Sequence, residues 1–143
     1  MNEADNLARR VADRLHAQEG TSRAWNVEIE EVREGYSRIA MIVREDMING
    51  HSTLHGGMIF ALADTAFAYA CNSRNVETVA QNATIAFLAP GRLGDRLVAE
   101  AREQALSGRS GVYAIEVRNQ KGEKIAVFQG LSRSLGGKVL LDN

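Results

Sequence analysis

The sequence predicts an α+β fold in which a curved antiparallel sheet of about five or six strands wraps around one long helix. Three observations support this prediction. One stretch has the apolar spacing of a long buried helix, the segments on both sides of it alternate as strands do, and turns rich in Gly or Asn separate most of those segments. At 143 residues, the chain is expected to form a single domain over residues 1–143, with its core over residues 22–137.

One helix and two strands are predicted before the central helix. Over residues 4–18, apolar side chains recur four positions apart, which indicates an amphipathic helix that ends before Gly20. Alternating apolar and polar residues predict a strand over 25–32. The apolar-rich run over 36–44 is expected to return beside it as a hairpin.

The central helix is predicted over residues 55–73. One stripe of it is apolar at helical spacing and consists of Ile59, Leu62, Ala63, Ala66, Phe67 and Ala70. The opposite side is also mostly apolar and holds Phe60, Ala61, Ala68 and Cys71, with Asp64 among them. A helix that is apolar nearly all round is covered on both sides. We therefore expect one side to pack on the protein's own sheet and a second subunit to cover the other.

The remainder of the chain is predicted to be β-structure. Strand patterns cover residues 78–88, 96–103, 112–118 and 125–131. Turns are predicted at residues 90–95, 107–111 and 119–122. We expect the strands to pair in hairpin order and to leave open sheet edges, which edge-to-edge pairing between two copies would cover.

Composition and charge argue against several functional classes. A net charge of −1 does not favour a broad nucleic-acid-binding surface. The single cysteine, Cys71, rules out an internal disulfide and any multi-cysteine zinc or iron–sulfur site. The N-terminus has no signal-peptide pattern, and Asp64 interrupts the longest apolar run. A cytoplasmic protein without a membrane span is therefore expected.

Asp64 is the one acidic residue in the stretch 47–73, and it lies within the apolar helix. An exposed acid, or a buried acid that caps backbone or pairs with an arginine, would account for it structurally. A carboxylate in partly apolar surroundings can also act as a strong base or nucleophile. The residue pattern alone leaves these explanations open.

His55, Gly56 and Gly57 lie where the helix is predicted to begin. Two glycines can simply serve a turn. The first turn of a helix also has amide N–H groups with no acceptor inside the helix, and the helix dipole adds partial positive charge there. Such an amide can bind the oxyanion that forms when an acyl carbonyl is attacked.

Gly56 and Asp64 cannot easily meet within one chain, because eight residues of helix separate them by about 12 Å. If two subunits pair with their helices antiparallel, Gly56 of one subunit can face Asp64 of the other. This arrangement predicts an active site shared across a dimer interface.

Four further polar residues precede the helix: Asn49, His51, Ser52 and His55. Turn and capping chemistry is the favoured explanation for His51 and Ser52. A metal site formed by His51, His55 and Asp64 matches no strong ligand spacing. A nucleophilic pair of Cys71 with a histidine is conceivable, but a mid-helix cysteine on an apolar face is typical of a core. No phosphate-loop or dinucleotide-binding motif is found.

Two motifs in the central stretch resemble those of the hotdog-fold acyl-CoA thioesterases. They read NGHSTLHGG over 49–57 and LADTA over 62–66. The extension DTAFAYACNS, followed by FLAPGRLGD and GVYAIEVRNQ, is similar to the phenylacetate-degradation branch of that family. The resemblance spans roughly residues 22–137. It implies a hotdog fold, in which the sheet wraps around the long helix, and dimers that commonly pair into tetramers.

The resemblance also implies roles for individual residues. Asp64 falls on the family's catalytic carboxylate, and Gly56 falls on the glycine whose amide polarises the thioester carbonyl. Asn49 and His55 fall on the polar residues that line the reaction centre. No metal or redox cofactor is implied, because CoA is part of the substrate.

Substrate contacts are implied beyond the reaction centre. The predicted set is Gly57, Gln81, Asn82, Thr84 and Arg109. The three strand residues of this set follow the helix, where the family carries small polar side chains, and the pattern does not say which of them points inward. The arginines considered for the CoA phosphates are Arg92, Arg109 and Arg133.

We therefore expect an enzyme that hydrolyses acyl-CoA thioesters to a free acid and CoA. The implied acyl group is aromatic, such as phenylacetyl or its ring-hydroxylated forms. One alternative is a hotdog hydratase or dehydratase, which acts on the acyl chain, although the histidine-rich run of those enzymes is not found. Another is a non-catalytic acyl-CoA-binding protein, but such regulators lack the catalytic acid and carry a DNA-binding extension for which this length leaves no room.

Overall fold

The computed structural model describes residues 2–141 and contains, within that range, three α-helices and one six-stranded antiparallel sheet. The helices are α1 (Glu3–Gln18), α2 (Gly20–Ala24) and α3 (Gly56–Cys71), and a 3₁₀ turn covers Glu45–Met47. The strands are β1 (Glu28–Arg33), β2 (Tyr36–Ile42), β3 (Thr78–Phe87), β4 (Arg96–Ser107), β5 (Ser110–Arg118) and β6 (Lys124–Ser134). The predicted fold, a curved sheet around one long helix, is confirmed. None of the helices within residues 2–141 is long and apolar enough to cross a membrane.

The strand order, β1-β2-β4-β5-β6-β3, corrects the predicted hairpin order. Three pairs are hairpins, but β3 lies at the far edge beside β6, and β2 pairs with β4. The segment 90–95, predicted as a turn, is part of a crossover that returns the chain from that edge to the middle of the sheet. The amides of Val43 and Leu54 donate to carbonyls of this crossover, both at 2.8 Å. Alternation specifies the two faces of a strand but not its neighbours, so the sequence could not supply this order.

Several strand boundaries also differ from the predictions, and two of these differences have a clear cause. β4 continues to Ser107, whereas the predicted strand ended at residue 103. The prediction ended there because a register shift after Glu103 breaks the alternation that marks a strand in the sequence. β1 begins only at Glu28, because Trp25 belongs to the C-terminal cap of α2, a short helix that the sequence pattern did not indicate.

The core lies between α3 and one face of the sheet. α3 contacts every strand, and α1 packs against both α3 and β1. The helix approaches β6 closely at Gly130, where an added Cβ would lie 2.6 Å from the ring of Phe67. Phe60 makes an edge-on ring contact with Phe128, and Phe67 packs at an angle on Tyr113. Aromatic packing and one glycine therefore set the spacing between helix and sheet.

Asn72 joins the end of α3 to the start of β3. Its side-chain amide donates to the carbonyls of Ala68 and Thr78, at 2.9 and 3.0 Å, and its side-chain carbonyl accepts the Thr78 amide at 2.9 Å. Because this side chain is buried, its hydrogen bonds fix the direction in which the chain leaves the helix toward the edge strand.

Candidate active site

The start of α3 has one capped and one unpaired backbone amide. His55 is the N-cap residue, and its Nδ1 accepts a hydrogen bond of 2.8 Å from the Gly57 amide. Because Nδ1 accepts, the proton of the neutral imidazole lies on Nε2. The Gly56 amide has no acceptor among residues 2–141. A free donor therefore lies at the positive end of the α3 dipole.

The Gly56 backbone lines an open cleft whose lining side chains are mostly apolar. The lining residues are Thr53, Leu54, Gly56, Ile59, Phe87, Leu88, Ala89 and Pro90. The ring of Phe87 lies directly over the glycine, since a Cβ at position 56 would be 3.2 Å from its Cζ. Phe87 is 54% exposed and Leu88 is 57% exposed. The glycine therefore lets the Phe87 ring pack against the start of the helix, beside the open cleft.

Asn49 shapes the loop that leads into α3. Its Oδ1 accepts hydrogen bonds from the amides of His51 and Thr53, at 2.9 and 3.1 Å, and lies 3.3 Å from Thr53 Oγ1. Its Nδ2 has no partner within residues 2–141. Ser52 takes a left-handed backbone conformation, with a φ of 64°. The side-chain carbonyl of Asn49 is thus committed to the turn, while its amide nitrogen can donate to another group.

Asp64 is a half-buried carboxylate without a local partner. It makes no hydrogen bond or ion pair within residues 2–141. Burial raises its pKa above the ordinary aspartate value, and the nearby Glu19 carboxylate adds to this increase. A desolvated, unpaired carboxylate of this kind is a more basic group than an exposed aspartate.

Asp64 lies on the face of α3 that the sheet leaves open. Gly57, Ala61, Asp64, Ala68 and Cys71 are exposed or only partly buried, and they form one stripe at helical spacing. Gly56, Met58, Phe60 and Thr65 are also not fully buried. The aspartate is the only charged residue of the whole helix. Its neighbours on the stripe are small, so another chain could approach this face closely.

Gly56 and Asp64 are both on α3, about two turns and 12 Å apart. One chain therefore does not bring the free amide and the carboxylate together around a single carbonyl group. Asn49 and His55, by contrast, lie at the same end of the helix as Gly56. The predicted site residues fall into an amide half and a carboxylate half.

The predicted substrate residues on β3 fall into two groups. Gln81 sits in a bulge, because the register with β6 shifts between Ala80 and Asn82. Asn82 and Thr84 are exposed and alternate with Ala83 and Ile85, which pack against the core. Alternation therefore puts Asn82 and Thr84 on the face of the sheet away from α3.

The three candidate arginines lie at different ends of the molecule. Arg92 follows Pro90 of the cleft next to Gly56, whereas Arg109 is in the β4–β5 turn and lines a cavity at the opposite end of α3. Arg133 is exposed on β6. Only Arg92 is close in the chain to the cleft that holds the free amide.

Cys71 does not suit the role of a nucleophile. Burial, with a smaller contribution from the Asp64 carboxylate, raises the pKa of its thiol to about 12. A thiol that stays protonated at neutral pH is a weak nucleophile. Residues 2–141 also contain no group of three or more His, Cys, Asp or Glu side chains arranged to hold a metal ion.

Comparisons with known proteins identify the family and the fold. Residues 51–126 match the family model described as Thioesterase superfamily. The chain is 41% identical over 128 residues to the acyl-coenzyme A thioesterase PaaI of Escherichia coli K12, covering 90% of this chain and 91% of that protein. The solved structure of the E. coli PaaI protein from the phenylacetic acid degradation operon superposes with a TM-score of 0.93 at 40% identity, covering 95% of this chain and 99% of that one. A mutant of the phenylacetic acid degradation protein PaaI from Thermus thermophilus gives a TM-score of 0.79 at 34% identity, covering 82% of this chain and 100% of that one.

The chain therefore belongs to the thioesterase superfamily and is a hydrolase acting on thioester bonds, with the hotdog fold. The matched segment begins just after Asn49 and includes both Gly56 and Asp64. The similarity of this chain to the two PaaI proteins extends well beyond that segment and covers nearly the whole of each PaaI chain.

Two residues near the site have no signal in the sequence. Phe87 covers Gly56 from the end of β3, and its position depends on the strand reaching the far edge of the sheet. Glu19 lies at the α1–α2 corner and influences Asp64 through the packing of that corner near α3. Both contacts join segments that are distant in the chain, so periodicity could not reveal them.

Proposed function

We propose that the protein hydrolyses acyl-CoA thioesters to a free carboxylic acid and CoA at a site formed by two copies of the chain. One observation carries the proposal: a single helix has a free amide donor at its start and, about two turns later, a half-buried carboxylate without a partner. The name of the E. coli relative, an acyl-coenzyme A thioesterase, supports CoA as the thiol half of the substrate.

In the proposed reaction, the Gly56 N–H donates a hydrogen bond to the thioester carbonyl oxygen. This hydrogen bond becomes stronger as negative charge develops on that oxygen. The partner subunit's Asp64 then acts in one of two ways. It attacks the carbonyl carbon to form an anhydride that water later hydrolyses, or it takes a proton from a water molecule that attacks directly. In both routes one water is consumed, the C–S bond breaks and CoA leaves as its thiol.

Asn49 and His55 position these groups. The Nδ2 of Asn49 is free to donate to the attacking water or to the carbonyl oxygen, because its Oδ1 is held by the loop. The Gly57 amide already donates to the His55 ring, so the Gly56 amide is the donor that remains for the substrate. Gly57 borders the substrate at this end. No metal or redox cofactor takes part in the proposal.

The dimer follows from two uncovered features of the subunit. The open stripe of α3 carries Asp64 among small residues, and β3 pairs with β6 on one side only. Val79 and Phe87 on this strand are 43% and 54% exposed. A second copy that pairs along β3 and packs its α3 antiparallel would cover both features and bring Gly56 to the partner subunit's Asp64. By the family resemblance, two such dimers form a tetramer.

The proposed acyl group is aromatic, of the phenylacetyl or hydroxyphenylacetyl type. The support comes from the similarity to two proteins of phenylacetic acid degradation. Among the strand candidates, Gln81 is the best placed to reach the dimer interface, because it lies in a bulge of the edge strand, where the alternation of the two faces is broken. Asn82 and Thr84 are weaker candidates, since they lie on the far face of the sheet.

Replacing the carboxylate tests the chemistry. In Asp64→Asn, we expect kcat for phenylacetyl-CoA to fall by at least about 100-fold, because the isosteric amide cannot serve as base or nucleophile. Release of the CoA thiol measures the rate. Asp13→Asn, which removes an exposed acid of α1, is the matched control and should keep wild-type turnover. A folded Asp64→Asn protein with near wild-type turnover would refute the mechanism.

Single turnover in heavy-oxygen water separates the two routes, because only the nucleophilic route labels Asp64.

A further inference from the structure

A cavity of about 150 Å³ lies at the C-terminal end of α3, between that helix end, the start of β3 and the tip of the β4–β5 hairpin. Its apolar walls include Cys71, Val76, Leu106 and Tyr113. Tyr113 is 1% exposed and its hydroxyl donates to Glu103, so the ring presents only carbon to the cavity wall. Arg74 and Arg109 also line the space, and Val76 and Leu106 are 38% and 54% exposed, so it is a partly open chamber with a mixed apolar and polar lining.

Gly111 keeps this chamber open. An added Cβ at position 111 would lie 2.9 Å from Ser132 Oγ, 2.9 Å from Tyr113 Cε1 and 3.0 Å from Leu106 Cδ2. All three atoms belong to residues of the cavity wall. Any side chain at this position would therefore push into the wall or into the space itself.

Two unpaired hydroxyls line the same chamber. Ser110 and Ser134 belong to its lining, and their hydroxyls have no hydrogen-bond partner within residues 2–141. Thr78, by contrast, already donates to the carbonyl of Val76 at 2.7 Å. The chamber thus combines apolar side chains with polar ones that include free hydroxyls, a combination that small-molecule sites share.

The chamber is within reach of the proposed reaction centre. Cys71 is seven residues after Asp64 on α3, which puts it on the same face of the helix and about 10 Å further along. A nucleophile approaches a carbonyl carbon to about 3–3.5 Å. An arylacetyl group extends roughly 6 Å from that carbon to the far side of its ring, from ordinary bond lengths. A ring carried by a thioester at Asp64 would therefore arrive at Cys71.

We propose that this cavity is the acyl pocket of the subunit that supplies Asp64 and that it takes the aromatic ring of an arylacetyl thioester. The inference rests on the proposed function and adds to it the place and size of the acyl group. In another protein, an apolar cavity of about 150 Å³ binds benzene, so the volume suits one aromatic ring. The free hydroxyls of Ser110 and Ser134 give a ring hydroxyl its hydrogen-bond partners.

This assignment separates the two ends of the substrate. Arg109, which lines the chamber, belongs to the acyl end and not to the CoA phosphates. Arg92 follows Pro90 of the Gly56 cleft, at the other side of the reaction centre. The thioester therefore joins an acyl group held by one subunit to a CoA moiety that runs along the other.

Filling the chamber tests the proposal. In Cys71→Phe, we expect the ratio of kcat/KM for phenylacetyl-CoA to that for acetyl-CoA to fall by about 10-fold or more, because the new ring occupies the space of the substrate ring. Leu93→Phe, which introduces the same ring at an exposed position outside the cavity, should leave the ratio at its wild-type value. Elution volume and circular dichroism verify that each variant keeps its assembly and fold.

Enlarging the chamber from a different element gives an independent measurement. In Leu106→Ala, we expect the ratio of kcat/KM for naphthylacetyl-CoA to that for phenylacetyl-CoA to rise by about 10-fold, because the shortened side chain admits the second ring. This variant decides the question if Cys71→Phe fails to assemble.

Two negative outcomes are distinguishable. Unchanged substrate ratios in folded variants, with a wild-type enzyme that turns over acyl-CoAs, overturn the pocket and leave the proposed function intact. A wild-type protein that hydrolyses no acyl-CoA overturns the proposed function, and the acyl pocket with it.

Discussion

Asp64 illustrates how one residue can carry both a structural cost and a chemical use. A charge on an apolar helix without a cation or hydrogen-bond donor among residues 2–141 is poorly solvated, and this burial is the larger cause of its raised pKa. The same desolvation makes the carboxylate more basic. Because the charged form is the reactive one, the activity should fall at acid pH as Asp64 is protonated, at a higher pH than for an exposed aspartate.

Glu19 provides a way to measure this effect. Removing its charge in Glu19→Gln should lower the pKa of Asp64, because one of the two causes of the raised value is lost. The acid limb of the kcat/KM profile should then move to lower pH. The Asp64 pKa should stay above the ordinary aspartate value in this variant, because burial is the larger cause of its increase. The glutamine oxygen can still accept the hydrogen bond that Ser22 Oγ donates to Glu19 at 3.0 Å, so the α1–α2 corner should stay intact.

Glu28→Gln is the matched control, because this exposed glutamate does not influence Asp64. Its acid limb should coincide with that of the wild type. An acid limb that moves equally in both variants, or a shift to higher pH in Glu19→Gln, would contradict the assignment of that limb to Asp64.

His55 acts at the residue scale through the backbone. Its ring replaces the missing acceptor for the Gly57 amide, so His55→Ala should destabilise the protein by about 1 kcal/mol, as other lost N-caps do. We expect kcat to fall by about tenfold as the Gly56 amide loses its orientation. Asparagine is also a good N-cap residue, and His55→Asn should recover most of both losses. Urea unfolding and steady-state kinetics measure the two quantities. An asparagine variant that is stable yet as slow as the alanine variant would show that the imidazole itself touches the substrate.

At the scale of elements, the close packing of α3 on the sheet is the main determinant of the site's shape. The position of α3 fixes Gly56 under Phe87 at one end and Cys71 beside the cavity at the other. Phe67, at 1% exposed, contacts the sheet where Gly130 removes any side chain. A change in this spacing should therefore affect stability and both ends of the site.

Gly130→Ala tests the packing directly. An added Cβ would lie 2.6 Å from Phe67, so we expect overpacking to lower the free energy of unfolding by about 1–3 kcal/mol. In a Phe67→Leu background the same substitution should cost clearly less, because the clashing ring is gone. Gly20→Ala is the control, since a Cβ added at that position would have nothing within 4 Å. Equal costs of Gly130→Ala in both backgrounds would show that the ring is not the source of the strain.

Much of the fold and part of the site could be predicted from the sequence. The long helix, the N-terminal helix and all six strands produce local apolar periods, so their existence was predictable. The bulge after Glu103 breaks such a period, so the predicted strand ended too early. The short helix α2 lacks a period of its own, so the prediction missed it. The contacts of Phe87 and Glu19 depend on strand order and helix packing, which local patterns do not encode.

At the scale of the whole molecule, the proposed active site requires two chains. Gly56→Pro removes the amide donor while suiting the first position of a helix, where proline is favoured. Gly56→Ala keeps the amide and adds the same Cβ, so it is the matched control. We expect Gly56→Pro and Asp64→Asn to be nearly inactive as homodimers.

Mixing these two inactive variants should restore activity. Half of randomly assembled dimers are hybrids, and each hybrid has one intact site and one with both substitutions, so about a quarter of the wild-type rate is expected. Co-expression with two different tags allows the hybrid to be isolated and assayed. A site contained within one chain predicts no recovery, because every chain in the mixture would carry a lesion.

The sequence by itself determined the parts that depend on short stretches of chain. Residue spacing along a helix sets the distance between Gly56 and Asp64, and the positions of turns and apolar periods set the helices and strands, because both follow from covalent geometry and the helical repeat. Tertiary structure alone decided that β3 lies at the far edge, that Phe87 covers Gly56 and that a ring-sized cavity opens beside Cys71. These features are assembled from segments far apart in the chain, and their arrangement depends on how the elements pack and not on any local period.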